Sequence, residues 1–293
     1  MSRNVEHVLE ANELLYDKIT ESLSDQSVKK YNNDKLTLAE LDKWRTDELP
    51  SILRQRFEKK SNCWLTKDEL ILLMDWKLAK GVFRPSLPKL IKSNPPDQVE
   101  EITKAGFTMF LDYIKEIKNA EDFWKDDSEE RRKQYKSNIR STFKKICELK
   151  GVGPATASLI LSLLCKINKY LVPPFFSDES FMYYVVDPVR PDTKIKYSVK
   201  EYVDELLESY FDILFDFKSD NFLNMDILEK GGWSLKMYDI HRFDTLADLK
   251  VPFEVNDSNL NKFIYNSKDD EKKISKDTGE EDVDQPLLKK QKK

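Results

Sequence analysis

Ile146-Cys147-Glu148-Leu149-Lys150-Gly151-Val152-Gly153-Pro154-Ala155-Thr156-Ala157-Ser158-Leu159-Ile160 has the spacing of two helices closed by a tight turn. Ile146 and Leu149, three apart, share one helix face. Gly151 and Gly153 permit backbone angles closed to other residues and clear space for a close approach. Val152, between them, is expected to point into the cleft between the helices. Pro154 suits the first turn of the second helix, where its missing N–H costs nothing. Ala157 is small enough for close helix packing, and Ile160 continues the buried face. Such a turn presents unpaired N–H groups at a helix N-terminus, a place for one phosphate of a nucleic-acid backbone. Lys150 adds charge beside it. The candidate contact residues are Lys150, Gly151, Val152, Gly153, Ala155 and Thr156, with Arg140 and Lys144 on the preceding helix. A contact of this kind positions the protein without reading base sequence. The same residues also suit a helical hairpin used only for packing.

Helix signals extend outward in both directions. Thr37 with Glu40 and Thr66 with Glu69 read as capping boxes. The second opens a helix with Leu70, Leu73, Met74 and Leu78 on one face, ending near Gly81. Pro95-Pro96 starts another, with Ile102, Ala105, Met109, Leu111 and Tyr113 as its apolar stripe. Ser128 begins a strongly basic helix through Arg131, Arg132, Lys133, Lys136, Arg140, Lys144 and Lys145. Its charge suits a DNA backbone or a plain solvated face. Lys166 to Tyr197 reads as a long connection, interrupted by Pro173-Pro174 and Pro188, with one short helix at 179–186. A helix over 198–218 and shorter pieces at 224–230 and 234–249 close the core.

Composition agrees with an all-α fold. Seven glycines in 293 residues leave little material for hairpins or phosphate loops. With 49 basic and 53 acidic residues the net charge is −4, which argues against coating nucleic acid by bulk charge and leaves a local grip open. Cys63, Cys147 and Cys165 are too scattered for a disulfide framework, and His7 and His241 lie too far apart for zinc-ligand spacing. No metal and no cofactor is expected. The charged start carries no signal peptide, and no apolar run is long enough for a membrane span. The segment 268–293 is poor in apolar residues and is expected to be a disordered tail, with 1–267 as the helical domain. Its end, Leu287-Leu288-Lys289-Lys290-Gln291-Lys292-Lys293, reads as a nuclear import signal or a solubilising terminus.

The order apolar-x-x-apolar-x-Gly-apolar-Gly-x-x-x-Ala-x-x-apolar over 146–160 resembles the helix-hairpin-helix pattern at every position. With its flanking helices the element spans 139–165. The layout, with the hairpin mid-chain, is similar to that of the helix-hairpin-helix DNA glycosylases, including the endonuclease III relatives. It also resembles eukaryotic helix-hairpin-helix proteins without an assigned activity, which share the Lys150–Ser158 stretch and a following Phe176-Ser177-Asp178-Glu179. The resemblance implies two helical lobes around a central hairpin, DNA as partner and removal of a base; the basic end adds a nuclear location, with the cytoplasm left open. It also implies an essential Asp in the loop after the second helix. Asp178 occupies that place, with a spacing a few residues long. Such a carboxylate would stabilise the charge developing on the sugar, or activate water. Ser177 or Asp178 also suits a helix cap, and the two roles are compatible.

The chain departs from the family at one informative position. Bifunctional members carry a Lys two residues after the second Gly, and Ala155 stands there. This implies a glycosylase without lyase activity, unless Lys144 or Lys169 substitutes. The cluster-binding cysteines of the endonuclease III branch are absent as well. The alternative is a non-catalytic DNA-binding or scaffold protein that keeps only the hairpin. Two further stretches carry an open choice. Trp76 to Pro85 mixes aromatic and basic residues at a helix end, suited to stacking on bases or to core packing. Tyr183-Tyr184 suits a base pocket or the core.

Overall fold

Several helices begin where a side chain satisfies their first N–H groups. Thr37 opens α3 (Leu38–Lys43), accepting from the Glu40 N–H at 3.2 Å while the Glu40 carboxylate accepts from the Thr37 N–H at 2.7 Å. Thr66 and Glu69 do the same for α5 (Lys67–Lys80), which ends at Gly81. Ser128 caps α8 (Glu129–Ile146), Ser198 caps α11 (Val199–Glu201) and Asn224 caps α13 (Met225–His241). Both expected capping boxes are therefore formed.

The computed structural model describes residues 5–81, 84–126, 128–186, 194–217 and 223–251. The remaining helices are α1 (Val5–Leu14), α2 (Tyr16–Asp25), α4 (Leu49–Lys60), α6 (Ser86–Lys92), α7 (Pro96–Lys115), α9 (Pro154–Ser162), α10 (Asp178–Phe181) and α12 (Leu207–Asp216). Wide π-helical turns carry α3 into α4 at Trp44–Glu48, extend α10 over Met182–Val186, and carry α11 into α12 at Tyr202–Leu206. The fold is all-α. Among the described residues the only strand-like pairing is a bridge between Tyr31 and Leu36. The described residues belong to one unit with one hydrophobic core. The tail expected at 268–293 lies outside the described residues, as do Pro188 and Lys218.

One group of helices gathers on α13, which packs against α1, α2 and α10. The other is built on the pair α7 and α8, with α9 beside it. α5 touches α3, α6 and α7 and so joins the two groups. The α7–α8 crossing is close because Gly106 faces Ile146. A Cβ on Gly106 would stand 2.5 Å from the Ile146 Cγ1.

Two expectations need correction. On α7 the buried face is Val99, Ile102, Phe107, Phe110, Leu111 and Ile114, while Met109 is exposed and Ala105 and Tyr113 are half-buried. The large phenylalanines take the inward face because each removes the most apolar surface from water. The pieces at 224–230 and 234–249 are one helix to His241, running straight through Gly231-Gly232. Glycine in a helix interior costs about 1 kcal/mol relative to alanine, a cost that disfavours two in succession. Both are buried contacts instead. A Cβ on Gly231 would stand 2.2 Å from the Val8 carbonyl oxygen, and one on Gly232 would stand 2.4 Å from the Tyr184 ring.

Candidate functional site

After α8 the chain turns through Leu149, Lys150 and Gly151, and Gly153 begins α9 as its extended N-cap. Pro154 takes the first helical position, as expected. Leu149, Ala157 and Ile160 are fully buried, and Val152 nearly so. Gly151 has φ +79°, and a Cβ there would meet the Leu90 Cβ at 3.0 Å. Gly153 differs. A Cβ there meets nothing within 4 Å, so the backbone requirement holds for Gly151 alone. Gly153 instead leaves open ground over the N-terminus of α9.

The turn is fastened by a residue that the motif does not contain. Asn94, fully buried, donates from Nδ2 to the Lys150 carbonyl at 3.0 Å. Its Oδ1 accepts from the Lys150 N–H at 2.8 Å. The Lys150 side chain stays exposed beside the turn.

A cavity of about 270 Å³ opens against this turn. Gly151, Gly153, Pro154, Ala155 and Thr156 line one side. Trp76, Lys77, Lys80 and Arg84 come from α5 and the segment after it. Phe175, Ser177, Asp178 and Glu179 arrive with the start of α10, and Glu229 and Trp233 with α13. Tyr16 and Tyr197 complete the aromatic walls. The Tyr16 and Trp233 rings lie 5.1 Å apart, and Trp76 meets Phe175 edge-on at 5.6 Å. A cavity with apolar walls and a few converging polar groups is the usual form of a small-ligand site.

The carboxyls on this cavity are held differently. Ser177 is the cap of α10, accepting from the Ser180 N–H at 3.3 Å. That frees Asp178, whose Oδ2 accepts from the Tyr197 hydroxyl at 2.6 Å. The Arg84 guanidinium lies over the Tyr197 ring at 4.9 Å. Ser177 Oγ in turn donates to Glu229 Oε1 at 2.6 Å. Burial pushes the Glu229 carboxyl up to about 6. Burial, with the Asp178 charge beside it, pushes Glu179 up to about 8. Burial also pulls the Lys77 ammonium below its ordinary range.

Lys80 is fixed from several sides. Its Nζ donates to Asp42 Oδ1 and to the Tyr16 hydroxyl, each at 2.9 Å. It also sits 3.9 Å from the Trp233 ring centre and 4.1 Å from that of Tyr16. Burial alone would raise the Asp42 carboxyl. The Lys80 ammonium outweighs it and holds Asp42 below its usual value.

The structure thus brings Gly151, Gly153, Ala155, Thr156 and Asp178 to one cavity, with Lys150 beside the turn and Val152 beneath it. Lys144 is exposed on α8 and has no ion-pair partner among the described residues. Arg140 is drawn elsewhere. It donates to Asp204 at 2.6 Å, in an array where Arg132 and Lys136 also pair with Asp204, Glu208 and Asp212. Much of the basic face of α8 is therefore neutralised within the protein. Tyr183 and Tyr184 belong to the core. The Tyr184 hydroxyl donates to the Leu228 carbonyl at 2.7 Å. Trp76 serves both readings, donating to Asp42 at 2.8 Å while its ring lines the cavity. Lys169 is exposed and is not among the residues lining the cavity, whose amines are Lys77, Lys80 and Lys196. Tyr16, Phe175, Glu229 and Trp233 carried no sequence signal, because only tertiary packing brings α2 and α13 to the hairpin. No family model, no curated protein and no solved structure matches the chain.

Proposed function

We propose that the protein grips a DNA backbone with the hairpin turn and takes one base out of the stack into the adjacent cavity. There it hydrolyses the bond between base and sugar. The observation that carries this reading is the convergence of Asp178, the N-terminus of α9 and the aromatic walls on a single cavity. A phosphate at Gly153 and the first turn of α9 would meet open N–H groups. A flipped base would lie beside Trp76, Phe175 and Tyr197. The Asp178 carboxylate, oriented by Tyr197, would face positive charge growing on the sugar and direct the attacking water.

With Ala155 in the slot of the lyase lysine, water is the nucleophile and the product an intact abasic site. Asp178→Asn should lower base release by roughly 100-fold or more and leave DNA affinity unchanged. The measurement is alkaline cleavage after incubation with a panel of damaged duplexes. Borohydride should trap no protein–DNA adduct. A trapped adduct that disappears in Lys77→Arg would replace water by the Lys77 amine. Equal release by wild type and Asp178→Asn would remove the catalytic assignment. DNA binding without release on any duplex would leave a non-catalytic binding protein. The reading includes a nuclear location, resting on the Lys289-Lys290-Gln291-Lys292-Lys293 cluster. A reporter carrying that segment should concentrate in nuclei, and an even distribution would remove this part.

A further inference from the structure

Three carboxyls face the same cavity, and their hydrogen bonds distinguish them. Asp178 accepts from Tyr197, and Glu229 accepts from Ser177, each at 2.6 Å. Each therefore has a donor that favours its ionised form. Glu179, next to Asp178 at the start of α10, has no ion pair or hydrogen bond with another side chain among the described residues. The positive groups lining the cavity are Lys77 and Lys80 from α5, Arg84 and Lys196. Lys80 is committed to Asp42 at 2.9 Å, Arg84 lies over the Tyr197 ring, and Lys196 is exposed, while Arg45 offsets the charge of Glu229. Tyr16 from α2 and Tyr197 face the carboxyls as neutral phenols. None of the positive groups pairs with Glu179 among the described residues. Neighbouring carboxyls are not all ionised together, and the proton belongs on Glu179, whose carboxyl accepts only from its own backbone N–H and from no side-chain donor.

The same cavity disfavours a cationic guest. The ring faces of Trp233 and Tyr16 are where a positively charged base would be attracted. The Lys80 ammonium already occupies both, 3.9 and 4.1 Å from the ring centres. A second cation would meet it head-on.

Building on the glycosylase reading, we propose that Glu179 is the proton donor to the departing base, and that the substrate is a base bearing no fixed positive charge. As the C1′–N bond breaks, its electron pair leaves with the base, and the Glu179 O–H proton passes to a ring nitrogen or carbonyl oxygen of that base. The water oxygen bonds to C1′, and its proton goes to the Asp178 carboxylate. Proton exchange between the neighbouring carboxyls restores the starting state. A base alkylated on nitrogen already carries its charge and leaves neutral, so it needs no donor. Burial and the Asp178 charge, which hold Glu179 up to about 8, keep it protonated at neutral pH.

The test is single-turnover release from duplexes carrying hypoxanthine or uracil and from one carrying 7-methylguanine. Wild type should act on a neutral base, with a rate that falls as pH rises through about 8. Glu179→Gln keeps size and hydrogen bonding without a transferable proton. It should lose roughly 100-fold on the neutral base and lose the alkaline limb, with unchanged DNA affinity and circular dichroism. An infrared band of a protonated carboxylic acid, present at neutral pH without DNA, should vanish in the same variant. Persistence of that band in Glu179→Gln overturns the assignment. So does an unchanged rate and pH profile in Glu179→Gln while Asp178→Asn is inactive, an outcome that spares the glycosylase reading. Action on 7-methylguanine alone also overturns it. Absence of base release from every duplex by wild type removes both.

Discussion

Gly151 and Gly153 are equivalent in the motif and unlike in the molecule. The first has φ +79° and Leu90 against it, while the second is extended with open space on its side-chain face. Gly151→Ala should therefore destabilise the protein by about 1–2 kcal/mol through the left-handed backbone, seen as a lowered melting temperature. Gly153→Ala should melt with the wild type and yet bind DNA less tightly, because its methyl group fills the ground a phosphate would use. A Gly153→Ala protein with undiminished affinity would show that the phosphate does not approach there. Sequence alone marks both glycines, since the spacing is local. It does not separate them, because the difference lies in Leu90 on another helix. Asn94 was hidden for the same reason. Its hydrogen bonds to Lys150 span 56 positions, and no periodic pattern marks it.

A row of charge on a helix says little until its neighbour is known. The basic run of α8 is plain in the sequence, and so are Asp204, Glu208 and Asp212. Their alignment depends on how the helix through Tyr202–Leu206 lies on α8. Half-exposed pairs of this kind are worth up to about 1 kcal/mol each, so they fix the seating of two helices more than the total stability. Glu208→Lys places a like charge beside Arg132 and Lys136. It should cost about 1 kcal/mol, and adding Lys136→Glu should recover part of that loss in a double-mutant cycle. For DNA, Lys150→Ala should weaken binding and flatten its salt dependence by about one unit of slope. Arg140→Ala, already spoken for by Asp204, should do so less. Equal effects from the two would return the face of α8 to the DNA contact. Capping boxes and helix starts were legible because their partners lie three residues apart. The unbroken α13 was not, because the reason for Gly231-Gly232 is α1 and Tyr184.

Across the whole molecule, buried carboxyls set the response to pH. Glu179 and Glu229 bind protons more tightly in the folded state, with values up to about 8 and about 6. Their contribution is complete below the ordinary carboxyl range near 4.5 and is lost as pH rises through those values. Asp42 and Asp226 act oppositely. Burial alone would raise both, but Lys80 and Lys230 outweigh it, so the stability they give is lost as pH falls below about 4. The melting temperature should therefore peak on the acid side of neutrality, at about pH 4.5–6, and decline towards pH 9. Glu179→Gln should flatten that decline, and an unchanged slope would show that Glu179 is not the group responsible. The all-α class was legible from composition and caps, whereas the cavity walls were not, since they come from segments distant in the chain. The packing of α1 on α13 adds a consequence in time. On the ribosome, Val8 waits with its apolar face uncovered until Gly231 has been made. The cavity waits with it for Glu229 and Trp233, so a nascent chain stopped before α13 has a finished hairpin but no pocket. Grip on DNA should thus arise earlier in synthesis than any capacity to act on a base, and the growing chain needs protection of its first helix until the last one arrives.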